Sequence, residues 1–347
     1  MKRLALVGLL ILLAATAASF VLAPAPLLEP AEELTLEEKV GQIFMIGIEG
    51  KTLSEETERL IRKTKPGSVL LLGRNIGTPE ELRELTSSLQ KISIEETGLP
   101  LFVAIDQEGG EVSRISWVEK TSQSEIKTES QAYDIGKEKA DQLRLLGINL
   151  NLAPLLDKLS PEDFIYNRGF QNNKGNFGEK IIQGQKDGGI LSCAKHFPGY
   201  GGITYHPEDN LAFAEAVPDY SEFEKSAEEA DMVMVSNVVY KELDKNYPFS
   251  FLKEGIGLLK EKVSGEYLVV SDDLAQYSLL GNFSLEEILS KPVNAGVDIL
   301  IFSGWRSPVE EAVARAVKAA EDGLIEKNRL QEAVSKIIKA KEKYFNL

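Results

Sequence analysis

The sequence predicts a single α/β domain folded as a (β/α)8 TIM barrel, and three observations lead to that fold class. Eight short apolar runs recur along the chain, amphipathic stretches lie between them, and polar residues follow the ends of several runs. Runs of this length, rich in β-branched residues, are typical of strands that are buried on both faces. Eight such strands alternating with helices are typical of a closed parallel barrel.

The predicted strands and helices alternate from residue 43 to the end of the chain. The strands are residues 43–48, 68–72, 101–106, 149–154, 191–196, 231–236, 267–272 and 298–303. Amphipathic patterns predict helices at 79–92, 131–147, 177–189, 307–323 and 328–345. A doubly wound open sheet is the alternative. No GxGxxG motif follows the first strand and no P-loop is present, which disfavours the nucleotide-binding versions of that sheet.

Composition limits the classes of function. The 347 residues, 43% of them hydrophobic, are enough for one large domain or two smaller ones. A net charge of -15 disfavours binding to nucleic acids or to anionic membranes. A single cysteine, Cys193, excludes an intrachain disulfide and a cysteine-based zinc site, and we expect it to pack in a buried strand. With only two histidines a histidine-rich metal site is disfavoured, whereas a carboxylate site stays open.

The N-terminal 23 residues form a separate segment. Lys2 and Arg3 precede an apolar run from Leu4 to Ala23, and the small residues 15–17 offer an A-x-A cleavage site. This pattern predicts a secretory signal peptide. Because the run is nearly twenty residues long, an uncleaved membrane anchor is the alternative. Either reading places the predicted barrel, residues 30–347, in a secreted, periplasmic or membrane-anchored protein that faces outward.

Polar residues follow three of the predicted strands directly. They lie at positions 106–108, 195–196 and 271–273. In a parallel barrel the carboxyl ends of all strands meet at one face, where catalytic residues are found. A carboxylate at the end of a buried strand is costly unless it is paired or used, although any single one can simply cap a helix. Together the three groups predict an active site at this face.

Four motifs resemble the barrel domain of glycoside hydrolase family 3. They are DQEGGEVSR (106–114), NRGF (167–170), KHFPGYG (195–201) and SDDL (271–274). The closest resemblance is to single-domain bacterial β-N-acetylhexosaminidases, and it extends from near residue 36 to the final helix. It implies the barrel fold, a retaining mechanism and a terminal β-linked N-acetylhexosamine as substrate, from cell-wall or chitin-type saccharides. No metal or organic cofactor is implied, and the expected partner is a carbohydrate.

The resemblance assigns roles residue by residue. Asp272 falls on the family's nucleophile, and the sugar-binding positions are occupied by Asp106, Arg114, Arg168, Lys195 and His196. A retaining glycosidase needs an ionised carboxylate beneath the anomeric carbon, and nearby Lys and Arg charges would lower its pKa. Other roles stay open. Lys195 could simply neutralise Asp106 or Asp272, Arg114 could form a surface ion pair, and His196 could only pack and hydrogen-bond.

The loop GYGGITYHPEDN (199–210) departs from the family pattern. In these hexosaminidases the loop after KHFPGHG carries Asp-Ser-His, in which the His donates the proton and the Asp orients it. Here His206 or Glu208 is the candidate donor, with Glu208 or Asp209 as a partner for His206. Three further positions differ: Tyr200 replaces a His, Glu111 an Arg and Asn237 a His.

Three functions are compatible with this departure. The first is an active hydrolase that uses His206 or Glu208 as its acid. The second is a barrel that binds sugar without cleaving it. The third is a phosphorylase, which is disfavoured because Glu208 near the site would repel an incoming phosphate.

Overall fold

The computed structural model describes Ala31 and residues 33–171, 176–304 and 307–347, and it contains an eight-stranded parallel barrel. The strands are β1 (Phe44–Gly47), β2 (Ser68–Leu71), β3 (Phe102–Ile105), β4 (Leu150–Asn151), β5 (Leu191–Phe197), β6 (Met232–Val235), β7 (Leu268–Ser271) and β8 (Leu300–Phe302). Each pairs with the next from β1 to β7, and β1 pairs with β8 in parallel register. A bridge between Val270 and Ile299 brings β7 and β8 together. The predicted fold class is confirmed.

All eight predicted strands overlap observed ones, and the fourth is the most shortened. Residues 149–154 were expected to be a strand, but the regular pairing covers only Leu150–Asn151. Side-chain amides take over part of the ladder there: Asn149 Oδ1 accepts from the Val103 amide at 2.7 Å, and Asn151 Oδ1 accepts from the Gln107 amide at 3.0 Å. Beyond Asn151 the strand pairing with β5 recurs as an isolated bridge between Leu155 and Lys195, and Pro154, which precedes Leu155, has no N–H to donate.

The helices surround the barrel. They are α1 (Leu36–Gln42), α2 (Glu55–Thr64), α3 (Pro79–Thr97), α4 (Glu129–Leu145), α5 (Phe177–Asp187), α6 (Ser221–Ser226), α7 (Lys253–Lys262), α8 (Tyr277–Leu280), α9 (Leu285–Ala295), α10 (Val309–Glu321) and α11 (Lys327–Phe345). All five predicted helices are present, with ends that differ by up to five residues.

Local sequence explains where α3 begins and ends. Thr78 and Glu81 form a reciprocal capping box, and Pro79 occupies the first helical position, where its missing N–H costs nothing. The helix continues five residues past the predicted end and stops at Gly98, whose φ of 68° is in the left-handed region. Glycine adopts this conformation without a Cβ clash, and it ends many helices in this way.

The barrel interior is apolar and closely packed. Every residue of β1, β2, β3, β6 and β7 is buried, as expected for strands that helices cover on the outside. Cys193 on β5 is fully buried, and burial raises the pKa of its thiol to about 12. The thiol is therefore protonated at neutral pH, consistent with its predicted packing role.

The predicted N-terminal segment, residues 1–23, lies outside the described residues. Among the helices that the structure does describe, none combines the length and apolar character needed to cross a bilayer.

Candidate active site

A cavity of about 700 Å³ opens at the carboxyl ends of the barrel strands. The structure brings all eight predicted site residues to its wall: Asp106, Arg114, Arg168, Lys195, His196, His206, Glu208 and Asp272. Lys195 and His196 lie at the end of β5 itself, and the others come from the segments that follow β3, β4, β5 and β7, so folding gathers side chains that are up to 166 positions apart in the chain. The catalytic face of a TIM barrel is where such a cavity is expected.

One wall holds a cluster of four charged side chains, Asp106, Glu108, Arg168 and Lys195, termed here the buried ion cluster. Lys195 Nζ lies 2.6 Å from Asp106 Oδ1 and 2.6 Å from Glu108 Oε1. Arg168 holds the same Glu108 through both oxygens, with Nη2–Oε1 at 2.7 Å and Nε–Oε2 at 3.0 Å. The Glu108 side chain is 1% exposed and that of Lys195 is 2% exposed. Two-point Arg–carboxylate pairing is strong and fixes orientation as well as charge.

The charges in this cluster support one another. Burial is the largest single influence and raises the pKa of both Asp106 and Glu108, but the cations together outweigh it: Lys195 and Arg114 at Asp106, and Lys195 and Arg168 at Glu108. Both pKa values therefore lie below the ordinary range, and both carboxylates are ionised at neutral pH. Burial lowers the pKa of Lys195, and its two carboxylate partners raise it above the ordinary value. Lys195 accordingly neutralises Asp106 and Glu108, while Asp272 is not among its partners in the described ion pairs.

The turn after β3 sets the position of the two carboxylates. Residues Gln107–Gly109 and Val112–Ser113 pair as a short antiparallel ribbon. Gly109 at its bend has a φ of 113°, and a Cβ there would lie 2.0 Å from the Thr121 carbonyl oxygen. Only glycine fits this position, which accounts for the first glycine of the DQEGG motif. Arg114 follows the ribbon, and its Nη2 lies 3.8 Å from Asp106 Oδ2.

His196 is held by a buried carboxylate. Asp157 Oδ2 accepts from the His196 amide at 2.8 Å and lies 3.2 Å from its Nδ1, while Asp157 Oδ1 accepts from the Tyr200 amide at 2.7 Å. The peptide bonds Lys195–His196 and Phe197–Pro198 are both cis. Asp157 thus ties the end of β5 to the start of the following loop.

Asp272 receives hydrogen bonds rather than ion pairs. The Tyr200 hydroxyl donates to Asp272 Oδ2 at 2.6 Å, and the Asp273 amide donates to Asp272 Oδ1 at 2.7 Å. Among the described residues no Lys or Arg lies within ion-pair distance of Asp272, although nearby cations were expected there. The cations of the site pair with Asp106 and Glu108 instead.

The neighbouring carboxyl group, Asp273, has a different setting. Its Oδ1 accepts from the Ala275 amide at 3.0 Å and from the Ser303 amide at 3.1 Å. Burial raises its pKa to about 6, with a smaller contribution from the charge of Asp272. These hydrogen bonds join the segment after β7 to the segment after β8 next to Asp272.

The segment 204–210, termed here the His206 loop, is exposed apart from Pro207. The His206 ring packs edge-on against Phe164 with 5.4 Å between ring centroids. The Glu208 carbonyl accepts from the Ser278 amide at 2.9 Å. Within the described ranges, neither the His206 ring nor the Glu208 carboxylate has a hydrogen-bond partner, so Glu208 and Asp209 do not orient His206 in this structure.

Sequence reasoning missed three contributors to the site: Glu108, Asp157 and Tyr200. Glu108 lies two positions after Asp106, at the end of a predicted buried strand. Because an unpaired buried carboxylate is costly, this position could have been predicted to have a cationic partner. Tyr200 was noted only as a replacement. Asp157 had no sequence signal, because its role depends on the backbone path after β5. Among the described residues no group of three or more His, Cys, Asp or Glu is arranged to hold a metal ion.

The structure thus places an aspartate and a buried cluster of cations and carboxylates in one cavity at the carboxyl ends of the strands, an arrangement that a TIM-barrel glycosidase can use. Residues 35–340 match the family model described as the glycosyl hydrolase family 3 N terminal domain, so the chain belongs to that family. The resemblance seen in the sequence motifs is confirmed.

Several relatives support this assignment. The chain is 28% identical over 335 residues to an uncharacterized secreted glycosyl hydrolase from Arthroderma benhamiae, covering 89% of this chain and 94% of that one. A β-N-acetylhexosaminidase structure from Beutenbergia cavernae matches with a TM-score of 0.78 and 27% identity, over 89% of this chain and 99% of that one. A family 3 β-N-acetylglucosaminidase from Paenibacillus matches with a TM-score of 0.82 and 26% identity, over 90% of this chain and 63% of that longer chain.

Proposed function

We propose that the chain is a retaining β-N-acetylhexosaminidase that removes terminal, non-reducing β-linked N-acetylhexosamine from cell-wall or chitin-type saccharides. The observation that carries this proposal is that Asp272 and the buried ion cluster line one cavity of about 700 Å³. That volume suits one or two sugar rings. The names of the Beutenbergia and Paenibacillus proteins support the N-acetylhexosamine specificity.

Asp272 is the nucleophile in this proposal. It attacks the anomeric carbon as the glycosidic C–O bond breaks, and a covalent glycosyl ester forms. Water then displaces the carboxylate and the anomeric configuration is retained overall. The hydrogen bonds at both oxygens of Asp272 hold the carboxylate in a defined orientation before substrate arrives.

The sugar is held by Asp106, Arg114, Arg168, Lys195 and His196. Ionised Asp106 accepts hydrogen bonds from vicinal hydroxyls, and Lys195 and the two arginines donate to hydroxyl oxygens. Because the buried ion cluster is already paired, these side chains meet the substrate in fixed positions and lose little conformational entropy on binding. His196 is oriented by Asp157 in the same way.

His206 is the proposed proton donor, with Glu208 as second choice. Imidazole is the side chain that most often serves as both general acid and general base in enzymes. Both residues line the cavity, but both are exposed without substrate. Closure of the His206 loop over bound sugar would bring the donor to the leaving oxygen.

An outward-facing location is part of the proposal. The N-terminal sequence pattern predicts a signal peptide or anchor, and the relative from Arthroderma benhamiae is described as secreted. Turnover of peptidoglycan or chitin-type saccharides would take place in such a compartment.

A sugar-binding barrel without turnover is the second candidate. It is favoured by the absence of the Asp-Ser-His triplet from the loop and by the lack of any described partner for the His206 ring. Under this alternative the buried ion cluster would bind a hexosamine that stays intact.

The deciding experiment is hydrolysis of a nitrophenyl β-N-acetylglucosaminide by the full chain and by Asp272→Asn. A good leaving group needs little protonation, so the assay tests the nucleophile even where the acid is weak. We expect turnover in the native chain, retention of anomeric configuration, and no acceleration by phosphate. Absence of turnover together with thermal stabilisation by N-acetylglucosamine would favour the binding protein instead.

A further inference from the structure

Tyr200 is the buried side chain in contact with Asp272 that none of the assigned roles explains. Its hydroxyl donates to Asp272 Oδ2 at 2.6 Å, a short distance for a neutral hydroxyl and a carboxylate. The family resemblance places a histidine at this position, so the contact is a feature of this chain. We propose that Tyr200 is a positioning residue that orients the Asp272 carboxylate and stabilises its negative charge. This inference rests on the proposed function, because it concerns the same nucleophile.

The surroundings of Tyr200 fix where its hydroxyl points. The residue is 2% exposed, its ring packs edge-on against Phe164 and His196 at 5.5 and 5.1 Å, and its amide is bound to Asp157. The Asn237 amide donates to the hydroxyl oxygen at 3.4 Å. Because the hydroxyl oxygen accepts a hydrogen bond from the Asn237 backbone amide, its own hydrogen is free to point at Asp272.

The phenol stays protonated throughout the working pH range. Burial is the largest cause that raises the pKa of Tyr200 well above 10, and the adjacent charge of Asp272 raises it further. Tyr200 is therefore a donor and not a base. It also has no means of acting as the proton donor to the leaving group without becoming a buried phenolate beside a carboxylate, which burial opposes.

The contact has a distinct consequence for each half of the reaction. In the first half, Asp272 forms its bond to the anomeric carbon as the glycosidic C–O bond breaks and the leaving oxygen takes a proton from the general acid, and the hydrogen bond keeps the attacking carboxylate aligned. In the second half, the ester C–O bond breaks and its electron pair returns to Asp272, while water adds to the anomeric carbon and gives its proton back to the same acid–base residue. The Tyr200 hydroxyl then stabilises the departing carboxylate, so its loss should slow this second half and let the glycosyl ester accumulate.

The test compares Tyr200→Phe with Tyr240→Phe in the full chain. Tyr240 is the matched control: it is equally buried, its hydroxyl contacts the Gly199 carbonyl at 2.5 Å and Ser236 at 3.0 Å, and its described contacts do not include Asp272. The acid limb of kcat/KM against pH is measured with nitrophenyl β-N-acetylglucosaminide. We expect Tyr200→Phe to move this limb upward by about one pH unit, to lower kcat about tenfold and to produce a nitrophenolate burst. Tyr240→Phe should lower stability and leave the limb in place.

Other titratable groups line the same cavity, among them Asp273, Lys195, His196 and His206. They are unchanged in both variants, so a shift confined to Tyr200→Phe belongs to the lost hydroxyl. An acid limb at the same pH in both variants would overturn the inference. If Tyr200→Phe does not fold, Tyr200→His is used instead, because its side chain has an N–H donor. The same quantity is measured, namely the pH of the acid limb of kcat/KM.

A second readout does not depend on activity. The carboxyl carbon of Asp272 is titrated by ¹³C NMR in aspartate-labelled protein, with Asp272→Asn identifying the resonance. We expect its midpoint to rise by about one unit in Tyr200→Phe. A native chain that does not hydrolyse the substrate would contradict the proposed function alone, and the NMR midpoint would still decide the role of Tyr200: an unchanged midpoint rejects it.

Discussion

The buried ion cluster and the His206 loop face the same cavity but differ in how they are held. Lys195 and Arg168 fix Glu108 with contacts of 2.6 to 3.0 Å, and the side chains of Lys195 and Glu108 are almost fully buried. His206 and Glu208 are exposed and have no described side-chain hydrogen bond. The proposed sugar-binding half of the site is thus held in place before substrate binds, whereas the proposed acid half would gain its geometry only in the bound complex.

Tyr200 lies in the same loop as His206, residues 199–210, but its setting is different. It is buried and hydrogen-bonded to both Asp157 and Asp272. The boundary between the buried and the exposed side chains of this loop falls between Ile203 and Thr204. Changes before this boundary should alter the nucleophile, and changes after it should alter only proton transfer.

The largest expected effect is that of Asp272→Asn. Removing the nucleophilic charge should lower kcat by a factor on the order of 10⁴, because no covalent intermediate can form. Initial rates with the nitrophenyl substrate measure this loss. Asp209→Asn, an exposed acid in the His206 loop, is the control and should keep a rate within a few-fold of the native one. A native-like rate in Asp272→Asn would remove Asp272 from the mechanism.

The next effect is on stability, and it tests whether the buried ion cluster is as tightly coupled as its geometry indicates. Glu108→Gln leaves the charges of Lys195 and Arg168 with less compensation in a buried setting, which should cost about 3–5 kcal/mol of unfolding free energy. Denaturant unfolding measures this difference. The exposed neighbour Glu111→Gln should stay within about 0.5 kcal/mol of the native chain. Equal stabilities for the two variants would show that the cluster is weakly coupled.

A smaller, substrate-dependent effect is expected in the His206 loop. His206→Ala should slow hydrolysis of an N-acetylglucosamine disaccharide by about 10²-fold and of the nitrophenyl substrate much less, because only the poor leaving group needs protonation. Glu208→Ala, assayed in parallel, should change both rates by less than tenfold. The opposite order would assign the acid to Glu208, and native rates in both variants would exclude the loop from proton transfer.

The smallest effect is the acid dependence of stability. The folded-state pKa values of Asp106 and Glu108 lie below their unfolded values, so these groups stabilise the fold above the unfolded pKa of about 4. That stabilisation is lost as the pH falls through this value toward the folded-state pKa values. Urea midpoints between pH 6 and pH 3 should therefore fall less steeply in Glu108→Gln than in Glu111→Gln. If the urea midpoints of the two variants fall equally steeply with pH, carboxylates other than Glu108 dominate acid unfolding.

Much of the fold is predictable because it depends on local patterns. Buried apolar runs predict all eight strands, and amphipathic patterns predict five of the helices among the described residues. Two kinds of boundary were predicted less accurately. The helix expected to end at residue 92 continues until Gly98 caps it, and the fourth strand is shortened where the side-chain amides of Asn149 and Asn151 replace backbone hydrogen bonds. The end of α3 is set locally by Gly98, whereas the amide bonds of Asn149 and Asn151 depend on partners that are more than 40 positions away.

For the site, sequence alone is enough to name the chemistry-bearing residues at the strand ends, since a parallel barrel brings those ends to one face. It was not enough to show which charges pair. Lys195 was expected near Asp106 or Asp272, and it contacts Asp106 and Glu108. The bond from Tyr200 to Asp272 likewise joins residues 72 positions apart and arises from the path of the loop after β5. Ion pairs and hydrogen bonds form only between groups that lie within a few ångströms of each other. For residues far apart in the chain, these distances are set when the barrel closes.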